Sequence, residues 1–117
     1  MKKINVVKKN YEFNDIIKKG KTLKNKFYIV YFKKNNLSKY RFGISVSKKL
    51  GNAVLRNKYK RKLRNIIDNN KKSYQKSYDY IIILRKSCID VEFQLLEEKF
   101  KELIEVIEKR GELNEKN

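Results

Sequence analysis

The segment from Arg56 to Arg64, with the sequence RNKYKRKLR, concentrates side chains that can bind phosphate. On a helix, Arg56, Lys60 and Arg64 follow one another at four-residue spacing and therefore share one face. The chain has only six arginines, and three of them fall in this segment. A guanidinium can grip a phosphate through two parallel hydrogen bonds, whereas a lysine acts as a point charge. This placement predicts a surface built for phosphate contacts of defined geometry.

Further polar groups surround these cations. Asn57 and Arg61 lie beside them on the helix, and Lys58 and Lys62 widen the basic surface. The amide of Asn57 can both donate and accept hydrogen bonds, which suits a base edge, a ribose or a metal-bound water. Gly51, which precedes the helix, permits a sharp turn, and the backbone amides that follow it could bind a further phosphate. A basic helix face that meets only solvent is the competing interpretation.

The same region lacks the side chains that catalysis would need. The chain has no histidine, which removes the commonest general base, and its single cysteine, Cys88, cannot build a metal cluster. From Arg41 to Arg64 there is no Asp or Glu, although a two-metal nuclease needs carboxylates next to the phosphate. We therefore expect no catalytic residue, no protein-bound metal and no cleavage by the protein alone.

The hydrophobic pattern predicts the elements that carry these residues. Predicted helices cover Tyr11–Lys19, Ala53–Asn69 and Val91–Arg110, and predicted strands cover Thr22–Lys24, Phe27–Lys33, Tyr40–Ser47 and Tyr80–Leu84. We expect Asn10 to cap the first helix and Gly20 to follow it in the left-handed conformation. The continuous apolar run of the last strand is typical of a central strand, and the helix before it lets that strand run parallel to its predecessor. These elements predict helices that cover a sheet in which the last two strands run parallel.

A second candidate surface is aromatic. Phe13 lies on the first helix, and four more aromatic residues lie in or next to the strands: Tyr28, Tyr31, Phe32 and Tyr40. Aromatic rings exposed among cations stack on single-stranded bases. A role in the core is equally open for each of them, and Phe13 in particular shares an apolar helix face with Ile16 and Ile17.

Length and charge restrict the class of partner. The 117 residues fit one domain, residues 1–117, whose last residues, 111–117, we expect to fray. The net charge of +18 divides unevenly, with +22 on residues 1–89 and −4 on residues 90–117. Such an excess favours a polyanion, either nucleic acid or an anionic membrane surface. The basic helix lacks the Trp- or Phe-rich apolar face of a membrane-surface helix, and a lone cysteine is typical of a reducing, intracellular compartment.

The string RFGISVSKKLGNAVLRNKYKRKLR, residues 41–64, resembles the signature of the protein subunit of bacterial ribonuclease P. In that family a strand ending in Ser-Lys-Lys is followed by Gly-Asn-Ala-Val and by an Arg-Asn-Arg helix. The resemblance covers nearly the whole chain, since the early helix, the YDYIIILRK strand and the amphipathic last helix follow in the family's order. It implies an α+β fold, which is an α/β sandwich with a mixed four-stranded sheet similar to one ribosomal-protein domain. A left-handed β-α-β crossover is part of this expectation.

The resemblance also implies a function. In the family a large catalytic RNA, with magnesium bound mainly by that RNA, cleaves precursor tRNA, while the protein binds the 5′ leader as an accessory subunit of a cytoplasmic endonuclease. Carried over residue by residue, the resemblance assigns contact with the catalytic RNA to Lys48, Lys49, Arg56, Asn57, Lys58, Lys60, Arg61 and Arg64. It assigns the cleft for the leader to Phe13, Ile17 and Tyr31. Neither a membrane nor a small-molecule substrate is expected.

Two positions depart from the family pattern. Lys58 stands at the third position of the Arg-Asn-Arg motif, which keeps the charge but loses the bidentate fork. Ile17 stands where many members have a second aromatic residue, which predicts weaker stacking on the leader. A structural ribosomal RNA-binding protein remains the alternative function for such a fold and charge.

Overall fold

The computed structural model describes residues 5–74 and 77–116, with side chains described for all of these except residues 73 and 111–116. The helices are α1 (Asn10–Lys19), α2 (Ala53–Asn69) and α3 (Phe93–Lys116), and the strands are β1 (Lys21–Lys24), β2 (Tyr28–Lys34), β3 (Arg41–Val46) and β4 (Tyr78–Leu84). Short 3-10 turns cover Lys48–Leu50, Lys71–Ser73 and Lys86–Cys88. All the predicted helices and strands are present, and α2 has the predicted bounds. The fraying predicted for residues 111–117 falls outside the described side chains and stays a prediction.

The strands form one mixed sheet in the order β1-β2-β4-β3. β2 pairs in antiparallel fashion with both β1 and β4, whereas β3 and β4, which α2 connects, run parallel. Ile82 of β4 pairs with Val30 on one side and with Ile44 on the other. β4 is therefore a central strand, as its apolar run predicts. The expected α+β fold with a mixed four-stranded sheet is confirmed.

The larger core lies between one face of the sheet and the helices α2 and α3. Tyr28 is fully buried there, and its hydroxyl donates a hydrogen bond of 2.8 Å to the carbonyl oxygen of Leu96 in α3. The apolar stripe of α3 is buried as its spacing predicts: Leu96, Phe100, Leu103, Ile104 and Ile107. Burial of each such side chain contributes roughly 1.5–3 kcal/mol. Because α2 and α3 cover this face in the described part of the chain, a partner would have to approach the sheet from the opposite face.

α1 covers only part of that opposite face. Ile16 is buried there and packs with Val7 and Ile81 in a second, smaller core. The helix approaches the sheet closely, since a Cβ on Gly43 would lie 2.6 Å from Cδ1 of Ile81 and 2.8 Å from Cε2 of Phe13. Only glycine at position 43 leaves room for the Phe13 ring.

Both ends of α1 differ from the prediction. Lys9, and not Asn10, stands at the N-cap position without a capping side chain, because the helix begins one residue earlier with the bond from the backbone N of Phe13 to the Lys9 carbonyl. Gly20 has φ −75° and ψ 166°, which is extended and not left-handed. Glycine is needed there for space, since a Cβ would lie 2.5 Å from the carbonyl oxygen of Ile16 and 2.8 Å from that of Phe32.

An ion-pair network fastens α1 to the sheet. Nε and Nη2 of Arg41 donate to the Asp79 carboxylate at 2.9 and 2.8 Å, and Nη1 donates to Glu12 of α1 at 2.7 Å. The hydrogen bonds to Asp79 and then to Glu12 raise the pKa of the Arg41 guanidinium above its ordinary value. Nζ of Lys33 lies 2.8 Å from the Asp15 carboxylate of α1, and this bond lowers the pKa of that carboxyl. Arg41 and Lys33 thus hold α1 over one end of the sheet.

Candidate RNA interface

α2 begins at a turn that requires glycine. Gly51 has φ +147°, a conformation that other residues rarely adopt, and a Cβ there would lie 2.9 Å from Cδ2 of Leu55. Asn52 then caps the helix, and its Oδ1 accepts a hydrogen bond of 3.0 Å from the backbone N of Leu55. This turn and cap determine where the helix starts and therefore which side chains face outward.

The sides of α2 differ in polarity. Tyr59, Leu63 and Ile66 are buried in the larger core. The six residues predicted on this helix to contact the catalytic RNA lie outside that stripe. Four of them are exposed: Asn57, Lys58, Arg61 and Arg64. The other two, Arg56 and Lys60, are half-buried. Within the described part of the chain, no ion pair neutralises any of their charges. The helix therefore presents a cationic face whose charge is free to meet phosphates.

Lys48 and Lys49 lie in the turn Lys48–Leu50, which leads from β3 towards α2. Leu50 is buried and anchors this turn, and Oγ of Ser47 accepts a hydrogen bond of 3.2 Å from the backbone N of Lys49. Both lysine side chains are exposed. Lys49 lines a cavity together with Ile83 of β4, so it borders the end of the sheet as well as the start of α2.

The three residues predicted for the leader cleft come together on the α1 side of the sheet. Phe13, Ile17 and Tyr31 are half-buried, and all three belong to the apolar cluster around Ile16 and Ile81. Their partial burial leaves an apolar and aromatic surface beside α1. Such a surface can receive unstacked bases.

Three other aromatic candidates belong to the opposite face of the sheet, so the stacking role considered for them is wrong. Tyr28 and Phe32 are 0% and 4% exposed in the larger core. Tyr40 packs edge-on against Phe42, with ring centroids 5.8 Å apart. Successive side chains of a strand point to opposite faces, so Tyr31 and its neighbour Phe32 cannot share one.

The cationic face of α2 and the leader cleft meet beside β3. Arg64 of α2 and Phe13 of α1 line the same cavity of about 230 Å³, with Gly43 and Ile44 between them. An RNA strand that leaves the cleft at this side would meet the guanidinium of Arg64. The two predicted surfaces are therefore joined.

Further cations, which sequence reasoning missed, lie at one end of the sheet. Lys26, Arg85 and Lys86 line the cavity of about 470 Å³ that Lys49 also borders. Lys26 precedes β2 and Arg85 follows β4, and the antiparallel register of these strands, with Ile29 opposite Ile83, brings them together. Basic residues placed directly outside predicted strands are the signal that could have found this site.

The described residues contain no group of three or more His, Cys, Asp or Glu side chains that could hold a metal ion. Two carboxylates on the α1 side of the sheet, Glu12 and Asp79, already accept hydrogen bonds from Arg41. In the same part of the chain, no helix combines the length and the apolarity that crossing a membrane requires.

The chain is similar to known proteins along most of its length. The family model described as Ribonuclease P matches residues 1–108. The ribonuclease P protein component of Mycoplasma capricolum is 44% identical over 108 residues, which cover 92% of this chain and 99% of that protein. The ribonuclease P protein component of Streptococcus agalactiae is 40% identical over 111 residues, which cover 95% of this chain and 98% of that protein.

Solved structures show the same similarity in three dimensions. A Staphylococcus aureus RNase P protein, a mutant with defective mRNA degradation activity, matches with a TM-score of 0.83 at 36% identity, over 91% of this chain and 90% of that one. The RNase P protein from Thermotoga maritima matches with a TM-score of 0.74 at 38% identity, over 80% of this chain and 88% of that one.

Proposed function

This chain belongs to the ribonuclease P protein family, and from that premise we propose that it binds two RNAs. The cationic face of α2, with Lys48 and Lys49 beside it, binds the catalytic RNA. The cleft formed by Phe13, Ile17 and Tyr31 binds the single-stranded 5′ leader of precursor tRNA. By holding both, the protein promotes endonucleolytic removal of the leader to give mature tRNA, and it does so in the cytoplasm.

Two surfaces with different RNA-binding chemistry meet on this molecule, and this arrangement carries the proposal. The outer face of α2 is mainly cationic, which suits the phosphates of a folded RNA. The cleft offers aromatic and apolar side chains, which suit unpaired bases. Arg64 and Phe13 share one cavity, so a substrate in the cleft would lie next to the catalytic RNA on α2. A structural ribosomal protein would need the first surface but has no use for a cleft that receives a substrate leader.

In this proposal the RNA performs the catalysis. The chain has no histidine, and the Asp79 carboxylate on the cleft side of the sheet is held by Arg41. Magnesium would be held mainly by the RNA, where it supplies the activated water and the charge stabilisation that hydrolysis of a phosphodiester needs. The protein contributes cations that neutralise crowded phosphates, which lowers the magnesium concentration at which the RNA works.

Reconstitution with the cognate catalytic RNA at low magnesium tests this function. We expect no cleavage by the protein alone, slow cleavage by the RNA alone, and accurate 5′ cleavage of precursor tRNA when both are present. Cleavage by the protein alone, or an RNA whose rate and affinity do not change on adding the protein, would refute the proposal.

A pair of matched variants tests the assignment of α2. Arg61→Ala removes one exposed charge from the cationic face, and Lys101→Ala removes one from the exposed surface of α3. The first should weaken binding of the catalytic RNA and lower the slope of log affinity against log salt by about one for each phosphate that residue 61 no longer neutralises. The second should leave both unchanged. Equal salt slopes for the two variants would place Arg61 outside the interface.

A further inference from the structure

Three charged residues form a row across the sheet on the face that carries the leader cleft. Asp79 of β4 lies opposite Lys33 of β2 on one side and opposite Arg41 of β3 on the other. Nε and Nη2 of Arg41 donate to the Asp79 carboxylate, and the side chain of Asp79 is only 6% exposed. The row therefore alternates cation, carboxylate and cation, and the register of three strands fixes it. We call it the charge row.

The floor of the leader cleft is the next row of the same sheet. Ile81 of β4 lies opposite Tyr31 of β2 and opposite Gly43 of β3. Each of these residues is two positions along its strand from a member of the charge row, so the two rows share one face and lie about 7 Å apart. Ile81 and Tyr31 belong to the apolar cluster that packs against α1. The charge row and the cleft floor are therefore neighbours on one sheet.

α1 contacts both rows at once. Glu12 accepts a hydrogen bond of 2.7 Å from Nη1 of Arg41. One turn later, the Asp15 carboxylate lies 2.8 Å from Nζ of Lys33. Phe13, the residue after Glu12, packs in the apolar cluster over the cleft floor. Because β4 separates the strands of the two cations, the two ion pairs fix the rotation of α1 about its axis as well as its position along the strands.

Apolar contacts alone would place this helix less well. Among the residues of α1, all of which the structure describes, Ile16 alone is buried, and Phe13 and Ile17 are half-buried. Phe13 also lines a cavity of about 230 Å³, so its ring has space to move away from Gly43. Apolar burial has no directional preference, whereas a hydrogen bond between charged groups has a defined geometry. The position of the Phe13 ring over the sheet therefore depends on the ion pairs.

Given the proposed function, we propose that Glu12 is a positioning residue for leader binding, which through the charge row fixes the distance between the Phe13 ring and the cleft floor at which a leader base can stack. Glu12 does this without touching the RNA, since its carboxylate binds Arg41. Asp15 acts in the same way through Lys33. Its share is smaller, because both side chains of that pair are 37% exposed and an exposed ion pair contributes little.

Glu12→Gln tests this role. The variant leaves both hydrogen bonds between Arg41 and Asp79, so the sheet keeps its charge row and the protein should fold. The quantity to measure is the leader increment, which is the affinity of the complex with the catalytic RNA for precursor tRNA divided by its affinity for mature tRNA. We expect it to fall about threefold, a part of the roughly tenfold loss expected when the stacking ring itself is absent. The affinities for mature tRNA and for the catalytic RNA should stay unchanged.

The net charge of the chain makes this loss diagnostic. Removing a carboxylate from a chain of net charge +18 increases its attraction for any RNA, so a purely electrostatic effect would not weaken binding. Glu98→Gln, on the exposed surface of α3, makes the same change of charge away from the cleft and is the matched control. A leader increment that is no smaller in Glu12→Gln than in Glu98→Gln would refute the positioning role.

A double-mutant cycle separates positioning from a general loosening of the protein. If Glu12 acts through Phe13, Glu12→Gln should cause no further loss of the leader increment in the Phe13→Ala background. Additive losses would mean that Glu12 affects the leader independently of Phe13, and the proposal would be wrong. Asp15→Asn should show the same lack of additivity with a smaller single loss, so the conclusion does not depend on one variant.

Failure of the positioning role and failure of the proposed function give different results. If Phe13→Ala itself leaves the leader increment unchanged, the leader does not use the cleft and the proposed function fails. If Phe13→Ala lowers the increment and Glu12→Gln does not, the cleft stands and only the positioning role is wrong. A leader that carries 2-aminopurine, whose fluorescence is quenched by stacking, reports the geometry directly. At saturation we expect weaker quenching in Glu12→Gln than in the wild type, and equal quenching would contradict the proposal.

Discussion

Arg41 shows how one residue positions a binding surface without touching the ligand. Its side chain is 16% exposed, that of Asp79 only 6%, and together with Glu12 they connect β3, β4 and α1. Glu12 is the neighbour of Phe13 in the chain, so the ion pair that holds Glu12 also holds the cleft wall at its distance from the sheet. The charges of this network are satisfied internally, which is why this end of the sheet has little left to offer to RNA.

Replacing Arg41 with Gln should therefore be strongly destabilising. The substitution leaves the Asp79 carboxylate buried without its cation, and losing one partner of a buried ion pair costs about 3 kcal/mol. The free energy of unfolding from urea titration measures this loss. Lys33→Gln is the matched control, since it removes a cation that pairs with α1 at a half-exposed site, and it should change the free energy little. Similar losses for the two variants would contradict the role given to Arg41.

Cys88 provides a residue-scale prediction about pH. Burial raises the pKa of its thiol to about 11, and the side chain is fully buried. At pH 8 only about one thiol in a thousand is then ionised, and the thiolate is the form that reacts. Alkylation by iodoacetamide should be slow in the native protein, accelerate as the pH approaches 11, and become fast at pH 8 in urea. Fast labelling of the native protein at pH 8 would show that the thiol is accessible.

Residue identity alone could not decide which aromatic side chains bind RNA. Alternation along β2 correctly separates Tyr31 from Tyr28 and Phe32, but it does not reveal which face two helices fill and which face one helix covers partly. That depends on where α1 and α3 pack, which is a long-range property. The conformation of Gly20 was missed for a related reason, because the carbonyl oxygens that exclude a Cβ there include that of Phe32 in the neighbouring strand.

At the scale of the element, α2 was the most predictable part of the molecule. Its start depends on Gly51 and Asn52, its buried stripe on a regular apolar spacing, and its outer face on cations, and these local signals all agree. Its predicted bounds, Ala53–Asn69, are those observed. The cavity that Lys26, Arg85 and Lys86 line was not predictable in this way, since it is assembled from segments far apart in sequence, and strand register brings Lys26 next to Arg85.

The position of Phe13 and Ile17 on α1 leads to a prediction about binding of the leader. Phe13→Ala should weaken binding of leader-bearing substrate by about tenfold, because one base loses a stacking partner worth roughly 1–3 kcal/mol. Binding of mature tRNA should change much less. Ile17→Phe is the complementary variant, since it adds a further aromatic ring to the cleft and should tighten binding of the leader. Equal losses for both substrates in Phe13→Ala would assign Phe13 to the core alone.

At the scale of the whole molecule, charge and packing are segregated. α3 closes the larger core from the side away from the cleft, and its outer face bears exposed acidic residues: Glu98, Glu102 and Glu105. The net charge of +22 on residues 1–89 is therefore opposed by a segment of −4. An approaching RNA is attracted to α2 and the sheet face and repelled from α3, so the charge distribution orients the encounter before contact.

The same excess charge should make the free protein dependent on anions. The cations on α2 and those around the cavity of Lys26, Arg85 and Lys86 repel one another, and an anion that binds only the folded form stabilises it by mass action. A sulfate concentration one hundred times the dissociation constant would add about 2.7 kcal/mol, or roughly 10 °C in Tm. Thermal unfolding in sulfate and in chloride at equal ionic strength separates the effect of anion binding from the effect of screening.

We expect sulfate to raise Tm more than chloride does. We expect this difference to shrink in the Arg56→Gln, Arg61→Gln double variant, because those guanidinium groups are the ones shaped to hold a tetrahedral oxyanion. Equal Tm values in the two salts would mean that screening alone relieves the repulsion, and α2 would then have no preorganised anion site in the free protein.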